Sequence, residues 1–258
     1  MKKFLFWPYQ VYVWLVFVPL AAVVTLICGL LTALFSMWVS PRFGSRYFAA
    51  PWARILAFFT PMWVSVKGAE NAQRARSYVV VCNHQSQYDI LLVYGYLDLD
   101  LKWVMKQELR KIPGVGIGCE KAGHIFIDRN NPRRARAAVT AALDRLGEGV
   151  GILFFAEGTR SLDGKLKAFK KGAFRLAIEQ QLPVLPVTLL GTRDLLPAKT
   201  LRLFPGRGTM IIHPAIETRG MDSAQLGDLM TQTREAIASA MPAGLRTELP
   251  AELSAELN

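Results

Sequence analysis

No charged side chain interrupts positions 4–41, and beyond them the polarity pattern breaks into short apolar runs separated by polar turns. A helix needs about 20 residues to cross a bilayer. The N-terminal run is therefore long enough for one tilted crossing, or for two shorter helices that enter one leaflet and return. Pro19 and Gly29 are the expected break points, and Trp7, Tyr9, Tyr12 and Trp14 suit headgroup depth. The run is too long for a signal peptide, and no small-residue cleavage site follows it. Cations stand on both sides, Lys2 and Lys3 before and Arg42, Arg46 and Arg54 after, which fits a hairpin whose two ends share a face. A second apolar piece, 52–66, carries Arg54 and Pro61 and reads as interfacial.

After Gly68 strand-like and helix-like pieces alternate. Apolar runs at 78–82, 124–127, 151–155, 183–190 and 209–213 read as strands. Between them, 90–97 reads as a helix or turn, and 169–180 and part of 218–240 as helices. Asn131-Pro132 opens another helix, with asparagine as cap and proline in the first turn. That helix runs through 133–146, with Ala135, Val139, Ala142, Leu143 and Leu146 on one face, and Gly147 and Gly149 stop it. Such alternation predicts an α/β fold, a sheet flanked by helices, behind an N-terminal apolar helical membrane-attachment segment. The expected division is 1–66 for attachment, 67–220 for the α/β domain and 221–258 for a C-terminal helix and tail.

A net charge of +11 and a sequence pI near 9.8 favour anionic partners. Lysines and arginines form no compact run interleaved with stacking aromatics, so the charge points to lipid or phosphorylated substrate and not to nucleic acid. Cys28, Cys82 and Cys119 are odd in number and far apart, which gives neither a disulfide framework nor a zinc site.

Candidate chemistry gathers at strand ends. His84 follows the 78–82 strand, with Asp89 five positions on. A carboxylate holding one imidazole nitrogen leaves the other to take a proton from a hydroxyl; a surface turn with an incidental histidine explains the pair equally well when it is taken alone. Arg129 follows the 124–127 strand and suits either a phosphate or a strand-end ion pair. Glu157-Gly158-Thr159-Arg160-Ser161 follows the 151–155 strand and packs carboxylate, glycine, hydroxyl and guanidinium into five positions. Lys165, Lys167, Lys170 and Lys171 behind it read mainly as a solvated face. Val184-Leu185-Pro186-Val187 reads as a core strand whose proline marks an edge or bulge.

Taken in order, these four blocks resemble those of the glycerolipid acyltransferases, above all the bacterial 1-acyl-sn-glycerol-3-phosphate (lysophosphatidic acid) acyltransferase branch. Lys106-x-Glu108-Leu109 with Pro113 and Gly116, and Phe169-Lys170-Lys171-Gly172, fit as well, and the resemblance covers about 65–215. One departure is Ala156, where that family usually has proline. The resemblance implies acyl transfer from an acyl-CoA or acyl-carrier-protein thioester to the 2-hydroxyl of lysophosphatidic acid. It implies His84 and Asp89 as the catalytic pair, and Lys106, Arg129, Glu157, Gly158, Thr159 and Arg160 around the acceptor. It also implies no cofactor or metal, membrane lipids as partners, and a bacterial inner membrane with the catalytic domain facing the cytoplasm. Neighbouring expectations are a sibling enzyme acting on glycerol 3-phosphate, another lysophospholipid or a lipid amine; a hydrolase using the same pair with water; and an anionic-lipid-binding scaffold.

Overall fold

A computed structural model describes residues 3–128, 131–143 and 147–246. Its centre is a seven-stranded mixed sheet, β1 (Met62–Lys67), β2 (Tyr78–Cys82), β3 (Asp100–Lys106), β4 (Ile125–Ile127), β5 (Val150–Phe155), β6 (Val184–Leu190) and β7 (Gly206–Ile212). The spatial order is β1-β7-β6-β2-β5-β3-β4. Strands β2 to β6 are mutually parallel, and β7 runs antiparallel to β6 with β1 parallel to β7. Consequently the starts of β1 and β7 lie at the same end of the sheet as the finishes of β2 to β6. Ligand sites of open α/β sheets form outside those finishing ends.

The fold class agrees with the alternation in the sequence, and the differences have physical causes. Strand β1 comes out of the piece expected to be interfacial, so the boundary expected between 66 and 67 falls inside a sheet strand. Strand β3 escapes the apolar criterion because Lys102 sits in it. That lysine is almost wholly buried, and its Nζ donates to Asp100 Oδ1 (2.8 Å) and Ala122 O (2.9 Å); burial lowers its pKa. Pro186 stands in an interior strand at a bulge. Val184 faces Ile216 whereas Val187 faces Ile212, so three steps on β6 meet four on its partner chain.

The N-terminal residues form two antiparallel helical rods. The first comprises α1 (Lys3–Tyr12), a π-helical turn (Val13–Phe17) and α2 (Val18–Trp38). The second comprises α3 (Pro41–Gly44), another π turn (Ser45–Ala49) and α4 (Ala50–Phe59). The reversal is at 39–40, where Ser40 Oγ accepts from Phe43 N, and not at Pro19 or Gly29. Pro19 follows a π turn within a continuous rod. Gly29 serves contact instead: a Cβ there would lie 2.3 Å from the Gly114 carbonyl oxygen, at the start of α6 (Val115–Lys121). Tyr12 OH donates to Phe59 O (2.9 Å) and Trp52 Nε1 to Thr25 Oγ1 (2.9 Å), tying the rods together.

Thirty-three residues, Phe6–Trp38, form a helix long and apolar enough to cross a membrane. One side packs on the domain through Val13, Phe17 and Gly29. Another exposes Val23, Ile27, Leu30, Leu34 and Met37 at helical spacing, and Val11 and Leu15 are exposed on the turns before it. An apolar stripe of this length is evidence for membrane association.

Helix α5 (Tyr88–Tyr96) and the hairpin cover one sheet face, with Leu92, Leu101, Leu153, Leu185 and Met210 in the core beneath. The other face packs on α7 (Pro132–Leu143), α8 (Gly172–Glu179) and α10 (Leu226–Ser239) through Val79, Val81, Ile152, Phe174, Leu229 and Ile237. Asn131 caps α7 as expected, its Oδ1 accepting from Arg134 N; Leu146 lies outside the described residues. A buried polar line joins hairpin and sheet, Ser45 Oγ to Tyr94 OH to His124 Nε2, with Trp103 N donating to His124 Nδ1. Burial, helped by Lys102, pulls the His124 pKa down to about 3, so this imidazole is a neutral structural group.

Candidate active site

Strand β2 ends at Cys82, and Asn83 extends its link to β6, donating to Leu189 O (2.9 Å) and accepting from Leu189 N (2.7 Å). That lock fixes where His84 leaves the sheet. The chain then turns into α5, whose first turn holds Asp89. The two side chains meet: His84 Nδ1 lies 2.7 Å from Asp89 Oδ2. The same oxygen accepts from Gln85 N (2.7 Å) and Ser86 N (2.8 Å), and Oδ1 accepts from Thr192 Oγ1 on the short helix α9 (Thr192–Leu195). Two main-chain N–H groups and a hydroxyl require a carboxylate that only accepts. Asp89 is fully enclosed. Nδ1 therefore carries the imidazole proton, and Nε2 presents a lone pair. Among the described residues Nε2 has no hydrogen-bond partner. The ring stacks on Phe155, centroids 3.8 Å apart and planes 15° from parallel, and keeps 13% of its surface open.

Strand β5 lies beside β2, Cys82 level with Phe155, so the loop after it reaches His84 directly. Glu157 is buried and faces inward: Oε1 accepts from His84 N (2.7 Å) and Oε2 from Lys167 N (3.2 Å). Burial pushes its pKa up to about 7 against the pull of those two bonds. Where the sequence led us to expect an acceptor contact, this carboxyl clamps the histidine backbone. Ser161 N adds a second strap, donating to His84 O (2.8 Å). Gly158 takes φ +72°, a left-handed turn that favours glycine. Ala156, the departure from the family pattern, is buried and its carbonyl accepts from Lys170 N (2.8 Å), so the turn closes without proline.

The expected cations are held more loosely. Arg160 is half-buried, one position before the Ser161 strap, and among the described residues nothing hydrogen-bonds or pairs with its guanidinium. Lys106, at the end of β3 and level with Ile127 on β4, is exposed and pairs with Glu108 at 3.0 Å. Thr159 is exposed, and its Oγ1 accepts from Lys167 Nζ (2.6 Å). Arg129 lies outside the described residues. His84, Glu157, Arg160 and Lys106 thus leave one end of the sheet on adjacent strands, with Thr192 arriving from β6. Sequence reading missed Thr192, Phe155 and the Lys167 amide. Thr192 stands 103 positions from Asp89 and carries no local signal, whereas Phe155 was legible as the last residue of a strand.

Chemically, an oriented imidazole with a free Nε2 can take a proton from an alcohol. A neighbouring guanidinium can hold a phosphate. Among the described residues no group of three or more histidine, cysteine or carboxylate side chains is placed to hold a metal ion.

Comparison with known proteins adds independent findings. The Acyltransferase family profile matches residues 63–190. A protein of Chlamydomonas reinhardtii named 1-acyl-sn-glycerol-3-phosphate acyltransferase is 39% identical over 181 residues, 69% of this chain and 53% of that one. The human 1-acyl-sn-glycerol-3-phosphate acyltransferase alpha is 32% identical over 175 residues, 67% of this chain and 62% of that one. The chain thus spans about half to two thirds of the length of these curated relatives. The crystal structure of the 1-acyl-sn-glycerophosphate (LPA) acyltransferase PlsC from Thermotoga maritima superposes with a TM-score of 0.77 at 29% identity. It covers 92% of this chain and 95% of that one.

Proposed function

The chain belongs to the acyltransferase family, and from that premise we propose that it transfers a fatty acyl group from a thioester to the 2-hydroxyl of lysophosphatidic acid, giving phosphatidic acid. One observation carries the chemistry: Asp89 holds His84 by Nδ1 and leaves Nε2 open. Nε2 takes the acceptor's hydroxyl proton as the oxygen attacks the thioester carbonyl carbon. The tetrahedral adduct collapses, the carbon–sulfur bond breaks, and the imidazolium returns its proton to the departing thiolate. The products are an ester and a free thiol, with no acyl-enzyme formed. Positive charge at Nε2 is stabilised through Nδ1–H by Asp89, whose other contacts prevent it from turning away. Arg160, with Lys106 and Arg129, binds the acceptor phosphate, and Gly158 and Thr159 shape the adjoining turn. The donor is acyl-CoA or acyl-carrier protein, and the protein's own groups supply the proton transfer without a cofactor or metal.

The exposed apolar stripe of the first rod supports membrane attachment, where a lysolipid reaches the cleft without full transfer into water. We place the catalytic domain on the cytoplasmic face of a bacterial inner membrane, a reducing side that suits three unpaired cysteines. Purified protein incubated with each thioester and a panel of acceptors tests the assignment. Phosphatidic acid formed from lysophosphatidic acid in preference to products from glycerol 3-phosphate or neutral lysolipids is the expected result. Release of free fatty acid without acceptor, or preference for another acceptor, overturns it.

A further inference from the structure

Thr192 and Leu196 touch the catalytic loop, and, further along the same segment, Leu203 and Phe204 touch the membrane hairpin. Ser86 Oγ donates to Leu196 O (2.7 Å), beside the Thr192–Asp89 contact. Further along, Leu203 is buried and its carbonyl accepts from Gln10 Nε2 (2.7 Å), while Phe204 stacks on Phe6 with centroids 5.6 Å apart. Phe6 in turn meets Trp7 edge-on, and Trp7 is 73% exposed. Between these two fixed points, Lys199, Thr200, Leu201 and Arg202 are all exposed, and Leu201 shows 72% of its surface. An exposed leucine flanked by two cations, just before the Leu203 and Phe204 contacts with the hairpin, matches the chemistry of a bilayer surface. The apolar side chain sits below headgroups whose negative charge the lysine and arginine meet. Because β7 starts at the end of the sheet where β2 finishes, the loop also lies at the His84 end of the sheet.

We propose that residues 199–202 form a second membrane contact, inserted among anionic phospholipid headgroups, which sets the catalytic end of the sheet against the lipid surface. The proposal rests on the hairpin lying in the membrane, and the test separates the two. Nitroxide labels are placed by Leu201→Cys, by Leu15→Cys on the hairpin's first rod, and by Ala224→Cys on the exposed turn before α10, each in a Cys28→Ala/Cys119→Ala background. Full-length protein is reconstituted into phosphatidylglycerol-containing vesicles. Collision with lipid-soluble oxygen is compared with collision with a water-soluble nickel chelate. All three positions are exposed, and thermal unfolding of each labelled protein verifies the fold.

The expected result is lipid-like accessibility at 15, headgroup-level protection at 201 and aqueous accessibility at 224. Adding Lys199→Glu/Arg202→Glu should return position 201 towards water, weakening its surface preference by more than about tenfold. A label at 201 as aqueous as that at 224, beside a protected one at 15, overturns the second contact and leaves the hairpin reading intact. Aqueous behaviour at both 15 and 201 overturns both. A position 201 that stays protected after charge reversal overturns the anionic-headgroup assignment.

Discussion

Two adjacent loops leave the same end of the sheet, and the side chains of His84 and Arg160 that they carry are held in opposite ways. The His84 loop is fixed at every turn: Asp89 receives four donors, Glu157 and Ser161 hold the His84 main chain, and Phe155 backs the ring. The neighbouring loop is pinned at Glu157 and Ser161, yet between those points it presents the exposed Thr159 and an Arg160 guanidinium that has no hydrogen-bond partner among the described residues. This contrast separates two tasks. Proton transfer needs a base whose position is fixed before substrate arrives, since small misplacements are costly. Phosphate capture is served by a cation that lacks a protein partner and gains one on binding.

Removing the fixed base has the largest expected effect. His84→Ala should lower kcat by about a thousandfold, with thermal unfolding little changed because the ring is a terminal group of its network. Asp89→Asn comes next. Its amide cannot accept from all four donors, so kcat should fall by about a hundredfold and stability by about 1–3 kcal/mol. Urea unfolding alongside kinetics separates the two losses. Arg160→Ala should act on the other loop alone, raising the acceptor KM by about 10–100-fold and leaving the thioester KM nearly unchanged. An equal rise for both substrates would erase the division of labour.

Glu157 sharpens the comparison through pH. Its ordinary value is 4.5 and its folded value about 7, so between these the folded chain keeps a proton that the unfolded chain has released. Stability from this group is therefore greatest below the unfolded value and declines as pH rises towards 7. Glu157→Gln, which leaves one main-chain N–H without its acceptor, should lower the melting temperature at acidic pH and flatten this decline; melting curves of the two proteins across the window measure it. Thr192→Val should give the smallest effect, about a fivefold fall in kcat from a loosened Asp89, about 1 kcal/mol.

The strand ends leading to His84 and Glu157 were legible in the sequence because each follows an uninterrupted apolar run. Strand β3 was not, since a buried lysine can occupy a core strand when Asp100 and a carbonyl receive it. Strand β1 was hidden by its neighbour: edge alternation beside an apolar helix reads as one longer amphipathic piece. The hairpin's turn was misplaced for a related reason. Proline and glycine are usual break signals, yet here a π turn accommodates Pro19 and interhelical contact requires Gly29. Within the site, His84 and Asp89 were visible as a spacing. The inward turn of Glu157 was not, because main-chain N–H groups make no mark on the sequence.

The most direct test of the base assignment is single-turnover acyl transfer, started by adding saturating lysophosphatidic acid to protein already holding the thioester. The account predicts that His84→Ala slows phosphatidic acid formation by at least about a hundredfold, and that added imidazole restores part of the rate. Ester formation at the wild-type rate in that variant would contradict it.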